Sequence, residues 1–224
     1  MTSPTNQPGS AALQRDLVLQ YLVHEPEKAA GKKRAFILMH GVGGNEENMF
    51  SLAGYFPDDL LLIAARGPNT QGTGRYAWFD VDFSTPQPVI NEEQEVESRG
   101  LIRQFIRQVK QKYAIDELYI GGFSQGAIMS YSVGLTAPAT VKGIIALSGR
   151  ILQQIRPDVQ PTAALAGLTV FVAHGLNDAV LPVAFGREAK QYLETLKVKL
   201  AYHEYPIAHQ VTAEVMADVV AWMG

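Results

Sequence analysis

The chain has 224 residues, 47% of them hydrophobic and 18% charged, with a formal net charge of −3. That balance suits one large soluble domain with a sizeable core and offers no basis for nucleic acid as a partner. No cysteine is present, which excludes disulfides, thiol nucleophiles and thiolate metal sites and fits a reducing compartment.

The opening MTSPTNQPGSAALQ has neither the positive nor the apolar region of a secretory signal. Its Pro, Ser, Thr and Gly predict a loose tail over 1–13, with a single domain over 14–224. No apolar run approaches the roughly 20 residues of a membrane span, so a cytoplasmic protein is expected. A β-prone apolar run covers 17–23. The cluster Lys32, Lys33, Arg34 reads as a solvated turn before a strand over 35–39. The segment HGVGGNEENM is a glycine-rich turn leading into a helix, and a further strand covers 60–65. ARGPNTQGTGRYAWFDVDFSTPQPV is the longest irregular stretch, and loops of that length are usually functional or mobile. Asn91 can cap a helix over 92–113, with Glu92 and Glu93 at its positive end. Its expected apolar stripe is Val96, Ile102, Phe105, Ile106, Val109 and Tyr113. Strands then follow at 118–120, 143–147, 168–173 and 200–205, with helices at 125–135, 185–196 and 212–223. In the last helix, Val215, Val219, Val220 and Trp222 point toward a core. Strands alternating with helices predict an α/β fold with a mainly parallel sheet covered on both faces. A symmetric dimer is the default expectation for any oligomer.

The chemistry centres on LYIGGFSQGAIMS, in which Gly122, Ser124 and Gly126 spell G-x-S-x-G. Between a strand and a helix this pattern pushes a serine hydroxyl out on a sharp turn, and the glycines remove Cβ atoms that would clash. A serine needs a base, an acid to orient that base, and donors for the oxyanion. HGLNDAVLP, after a strand, supplies Asp178, and YPIAHQV, before the final helix, supplies His209. The order Ser, Asp, His is that of α/β-hydrolases, and parallel strands bring such loops to one edge. Asp178 as a plain turn residue and His209 as a surface histidine are the blander alternatives. His24 falls in a polar turn and His203 within a strand, while His174 should pack or hydrogen-bond in the Asp178 loop. The glycine-rich turn after His40 exposes N–H groups suited to an oxyanion, so Val42 and Gln125 are the expected donors. Dinucleotide binding would need glycine where Glu46 stands, and a zinc-protease helix would need histidine at Ile207, with Pro206 breaking it. No metal site is expected.

Taken together, HGVGGNEENM, RGP with RYAWFD, GFSQGA, and HGLNDAVLPV with AHQVTAEV resemble the phospholipase/carboxylesterase family of serine esterases, which includes acyl-protein thioesterases. The resemblance implies an α/β-hydrolase fold, no cofactor, and hydrolysis of carboxylic esters or thioesters. By motif match it carries over Ser124 as nucleophile, Asp178 and His209 as its partners, and Val42 and Gln125 as oxyanion donors. One departure is Ala208, where members often have Gly before the histidine. Segment 148–167, where many α/β-hydrolases insert a cap, is short, which predicts an open or shallow site tolerant of varied acyl groups; the expected partner is a small-molecule ester or thioester substrate. The segment's Arg150 and Arg156 are read as facing solvent rather than binding an anion. Trp78, Phe79, Val180 and Leu181 are candidates for an apolar acyl wall; plain packing of the loop onto the sheet is the other reading of Trp78 and Phe79. A thioesterase or lysophospholipase on long acyl chains, and a non-catalytic binding protein of this shape, remain as alternatives.

Overall fold

A computed structural model describes residues 11–26, 31–82, 84 and 88–224. Seven strands form the central sheet: β1 Tyr21–His24, β2 Arg34–Met39, β3 Leu60–Ala65, β4 Glu117–Phe123, β5 Gly143–Leu147, β6 Thr169–Gly175 and β7 Lys199–Tyr205. Their spatial order is β1-β3-β2-β4-β5-β6-β7. Only β1 runs antiparallel to its neighbour. The chain therefore has the α/β-hydrolase architecture.

The period-2 pattern of β2 sorts its residues between two layers. Ala35, Ile37 and Met39 join the cluster with Ile102, Phe105, Ala127 and Leu193. Phe36 and Leu38 face Phe50, Val215 and Val219 on the opposite side. Helices α2 Glu92–Tyr113, α3 Gln125–Thr136 and α5 Val183–Thr195 thus cover one face. The other face takes α1 Glu46–Phe50 and α6 Ala213–Met223. A single turn, α4 Thr162–Leu165, and the 3₁₀ segment Gln153–Asp158 are the helical pieces of 148–167, so no cap covers the sheet there.

Several boundaries differ from the sequence expectation. Residues 16–19 bend rather than extend, because Gln14 and Tyr21 exchange backbone hydrogen bonds at 2.8 and 3.2 Å, and Val18 N–H donates to Gln108 Oε1. Residues 1–10 of the expected tail lie outside the described residues, whereas Ala11 and Leu13 pack against the α6 face. β4 continues three residues past Ile120 through two glycines. A Cβ on Gly121 would come within 2.5 Å of Ile145 O, so only glycine lets β4 approach β5 there. In α2, Val96 is exposed at 54%, and Glu95 and Ser98 occupy the buried face instead. The stripe runs 95, 98, 102, 105, 109, one position out of phase with Val96. Caps fall where expected: Asn91 accepts from Gln94 N–H, and Thr212 from Val215 N–H.

Candidate functional site

Ser124 is positioned by a crossing of two strands and a helix. β4 ends at Phe123 and α3 starts at Gln125, so the chain reverses at one residue. Ser124 takes φ +54° and ψ −114°, a left-handed φ that costs a residue with a Cβ on the order of 1–3 kcal/mol. Its N–H is held by Leu147 O at 2.9 Å. The flanking glycines explain how the turn fits over β2. A Cβ on Gly122 would lie 2.2 Å from Met39 O, and one on Gly126 2.0 Å from the same oxygen.

The Asp178 and His209 loops are stitched together by the backbone. Leu176 N–H donates to Tyr205 O at 2.7 Å, and Asn177 N–H to Ile207 O at 3.0 Å. Gly175 permits this approach, since its Cβ would meet Ile207 O and Ala208 O at 2.5 Å. The result is a hydrogen bond of 2.6 Å between His209 Nδ1 and Asp178 Oδ2. The other carboxylate oxygen, Oδ1, accepts from the N–H groups of Val180 and Leu181 at 2.9 and 2.8 Å. The acid is therefore enclosed and fixed in rotation, while the His209 side chain keeps 15% exposure. Ala208 has no positive φ, so alanine suits that loop as well as glycine would.

On the serine side, the ring of Phe123 packs against the His209 ring, with centroids 4.6 Å apart and planes tilted by 41°. That contact sets the imidazole beside the residue preceding Ser124. Among the described residues no hydrogen bond joins Ser124 to His209.

The expected oxyanion donors fall at the same edge. In the β2 loop, Gly43 N–H donates to Tyr76 O and Gly44 N–H to Gly41 O. Val42 N–H has no partner among the described residues, nor does the N–H of Gln125 at the first turn of α3, where helix amides lack an internal acceptor. The two amides are left as available donors.

Beneath these loops lies a polar network that the sequence did not announce. His40 Nδ1–H donates to Gly41 O at 2.8 Å, and its Nε2 accepts from Gly67 N–H at 2.9 Å. Those partners require the neutral ring, and burial pushes its pKa below the ordinary histidine value. Arg66 grips Glu46 with both Nε and Nη2 and stacks on Tyr76 at 4.4 Å. The Gln125 side chain accepts from Trp78 N–H at 2.7 Å and donates to Phe79 O at 2.6 Å. The signals available in the sequence were a histidine at the end of an apolar strand and a buried-phase Glu at the start of α1.

Trp78 and Phe79 are 0% and 1% exposed and belong to the core. Trp78 Nε1–H is bonded to His40 O at 3.0 Å. Their role here is packing of the loop onto the sheet, not a free apolar wall. Val180, in contrast, is 63% exposed, and Leu181 is half-buried. His174 donates from Nε2 to Leu181 O at 2.7 Å, steadying the acid loop as expected. Arg156 pairs with Glu188 at 3.0 Å. Arg150 is not the solvent-facing residue expected: it is half-buried and lies over Phe185 at 5.3 Å.

A mainly parallel sheet with a serine elbow after a central strand and an acid–histidine pair at the same edge defines the class of α/β-hydrolases. The chain belongs to the phospholipase/carboxylesterase family, whose model matches residues 22–223. Members of this family are ester hydrolases, and so is this protein by its class. Among curated relatives, acyl-protein thioesterase 1 of Kluyveromyces lactis is 26% identical over 219 residues, 90% of this chain and 95% of that one. The Eremothecium gossypii protein of the same name is 29% identical over 215 residues, 88% and 89% of the two chains. Among solved structures, a carboxylesterase from Mesorhizobium loti superposes with a TM-score of 0.83 at 21% identity, covering 96% and 99% of the two chains. Acyl-protein thioesterase 2 of Zea mays gives 0.77 at 19% identity, covering 91% and 96%. These likenesses in shape establish the fold. No helix among the described residues is long and apolar enough to cross a membrane.

Proposed function

We propose that the protein is a carboxylesterase that works through an acyl-enzyme on Ser124. The observation that carries this reading is the 2.6 Å bond between His209 Nδ1 and Asp178 Oδ2, with the same imidazole against Phe123, the neighbour of Ser124. Asp178 holds Nδ1–H, which leaves Nε2 free to take the proton of Ser124 as Oγ attacks the acyl carbon. The oxyanion that forms is received by the N–H groups of Val42 and Gln125. His209, now charged and stabilised by Asp178, gives its proton to the leaving alcohol, and water repeats the cycle to release the acid and free the serine. Substrates are small-molecule esters, in keeping with an edge that 148–167 leaves uncovered, and the expected setting is the cytoplasm.

Titration with a fluorophosphonate tests this directly. One equivalent should bind wild-type protein and none the Ser124→Ala variant; equal labelling of both, or none of either, ends the reading. An acyl thioesterase or lysophospholipase on long acyl chains is the second reading; the curated relatives named acyl-protein thioesterase favour its thioester form. A rate profile over acetyl, butyryl and palmitoyl esters and thioesters separates the two.

A further inference from the structure

Arg150 occupies an unusual place for an arginine. β5 ends at Leu147, whose carbonyl holds the Ser124 N–H, and the chain turns out through Ser148 at φ +50°. Gly149 then passes so close to α3 that a Cβ would lie 2.6 Å from Ala127 Cβ. Arg150 is therefore delivered to the same sheet edge as the serine elbow. There it enters a groove of about 320 Å³ walled by Val89, Ile90, Leu152 and Phe185. Phe185 sits in the first turn of α5, the helix that follows the Asp178 loop, so one wall of the groove comes from the element after that loop.

Among the described residues no carboxylate reaches the guanidinium directly, although Glu188 lies near enough to act on it through space. Among the described residues Arg150 makes neither an ion pair nor a hydrogen bond, and its Nε is enclosed without a partner. Glu188, which lines the same groove, is already engaged by Arg156 at 3.0 Å and Gln153 at 2.8 Å. Glu92, at the groove's rim on α2, forms no pair with Arg150 either, and 83–88 (Phe-Ser-Thr-Pro-Gln-Pro) carries no acidic side chain. A half-buried cation with an unsatisfied N–H is costly unless something pairs with it. Burial accordingly lowers the tendency of this group to hold its proton, although guanidinium stays charged.

We propose that Arg150 is a carboxylate-binding subsite, and that the esters this site takes best carry a carboxylate at the end of a short aliphatic chain. The apolar walls suit the methylenes, and the planar fork of the guanidinium matches a carboxylate in two parallel hydrogen bonds. A doubly charged phosphate fits less well, because Glu92 and Glu188 share the groove. The assignment rests on ester hydrolysis at Ser124 for its kinetic form but not for its binding form, and the test separates the two.

The kinetic arm compares aryl monoesters of adipic acid with the same esters capped as the primary carboxamide, an uncharged isostere. A companion pair places the carboxylate or carboxamide on the leaving group of an acetyl thioester, which tells which side of the scissile bond faces Arg150. In at least one pair, wild-type kcat/KM should favour the carboxylate by about 10- to 100-fold, the range a charge-assisted pair supplies. That ratio should collapse toward one in Arg150→Gln, recover in part in Arg150→Lys, and shrink with added salt. The binding arm uses calorimetry on the Ser124→Ala variant with the same four compounds, with and without Arg150→Gln. A carboxylate preference there, lost with Arg150→Gln, supports the subsite even if no ester is turned over. A ratio near one in wild type for both pairs, or a ratio unchanged by Arg150→Gln, overturns it. Loss of turnover on every ester with the binding preference intact would sink the esterase reading alone.

Discussion

At the scale of single residues, Asp178 shows how much one carboxylate is asked to do. Oδ1 is committed to the amides of Val180 and Leu181, and Oδ2 faces His209. Asparagine at 178 would keep its oxygen on the two amides and turn its NH₂ toward Nδ1. The imidazole would then have to accept at Nδ1 and carry its proton on Nε2, where it cannot serve as base. We expect Asp178→Asn to lower kcat by up to about 10⁴ while leaving the melting temperature close to wild type; a loss under about tenfold would remove Asp178 from the mechanism. Ser124→Ala should cost on the order of 10⁶ in kcat, as loss of the nucleophile does in subtilisin. Residue types and order were enough to single out Ser124, Asp178 and His209 as candidates. Arg150 was not readable, because a lone arginine in a loop looks solvated until the fold shows which partners are missing.

At the scale of elements, the strands and most helices were legible because apolar runs and caps are local signals. What was not legible depended on contact between segments. The extension of β4 to Phe123 needs two glycines to pass β2 and β5, and periodicity does not report that. Likewise the phase of α2 is set by burial of Ile102, Phe105, Ile106 and Val109, which carries Glu95 inward beside Arg99, 3.6 Å away, and leaves Val96 outside. The elbow yields a packing prediction: Gly126→Ala would set a methyl 2.0 Å from Met39 O. Backbone cannot retreat as a flexible side chain can, so destabilisation of at least about 1–3 kcal/mol is expected in denaturant titration. An unchanged midpoint would mean that α3 does not rest on β2 as described. The Gln125 clamp gives another. Gln125→Leu leaves Trp78 N–H and Phe79 O buried without partners, a loss of about 2 kcal/mol or more, and it should slow catalysis as well by loosening the loop behind the first turn of α3.

At the scale of the whole molecule, stability should depend on pH through His40. The folded ring is held neutral by burial and by the Gly67 N–H, so its pKa lies below the unfolded value near 6.5. Below that pH the unfolded chain takes up a proton that the native state refuses. Stability is therefore complete above about pH 6.5 and falls as pH drops beneath it. His40→Gln, which keeps an acceptor near the Nε2 position, should flatten that slope between about pH 5 and 6.5 in melts followed by circular dichroism. An identical slope in both proteins would assign the effect elsewhere. The mainly parallel sheet came through as the α/β pattern promised, but the antiparallel direction of β1 did not, since it is set by the Gln14–Tyr21 fold-back.

The positive φ at residue 124 sets stability against reactivity. A side chain there is tolerated against the preference of its own backbone, and glycine would sit in the same turn at ease. A Ser124→Gly protein should consequently melt later than its parent, by an amount worth about 1 kcal/mol, while hydrolysing nothing. Durability and turnover pull this position in opposite directions, and a lineage released from the need to react would be expected to drift toward the quieter residue.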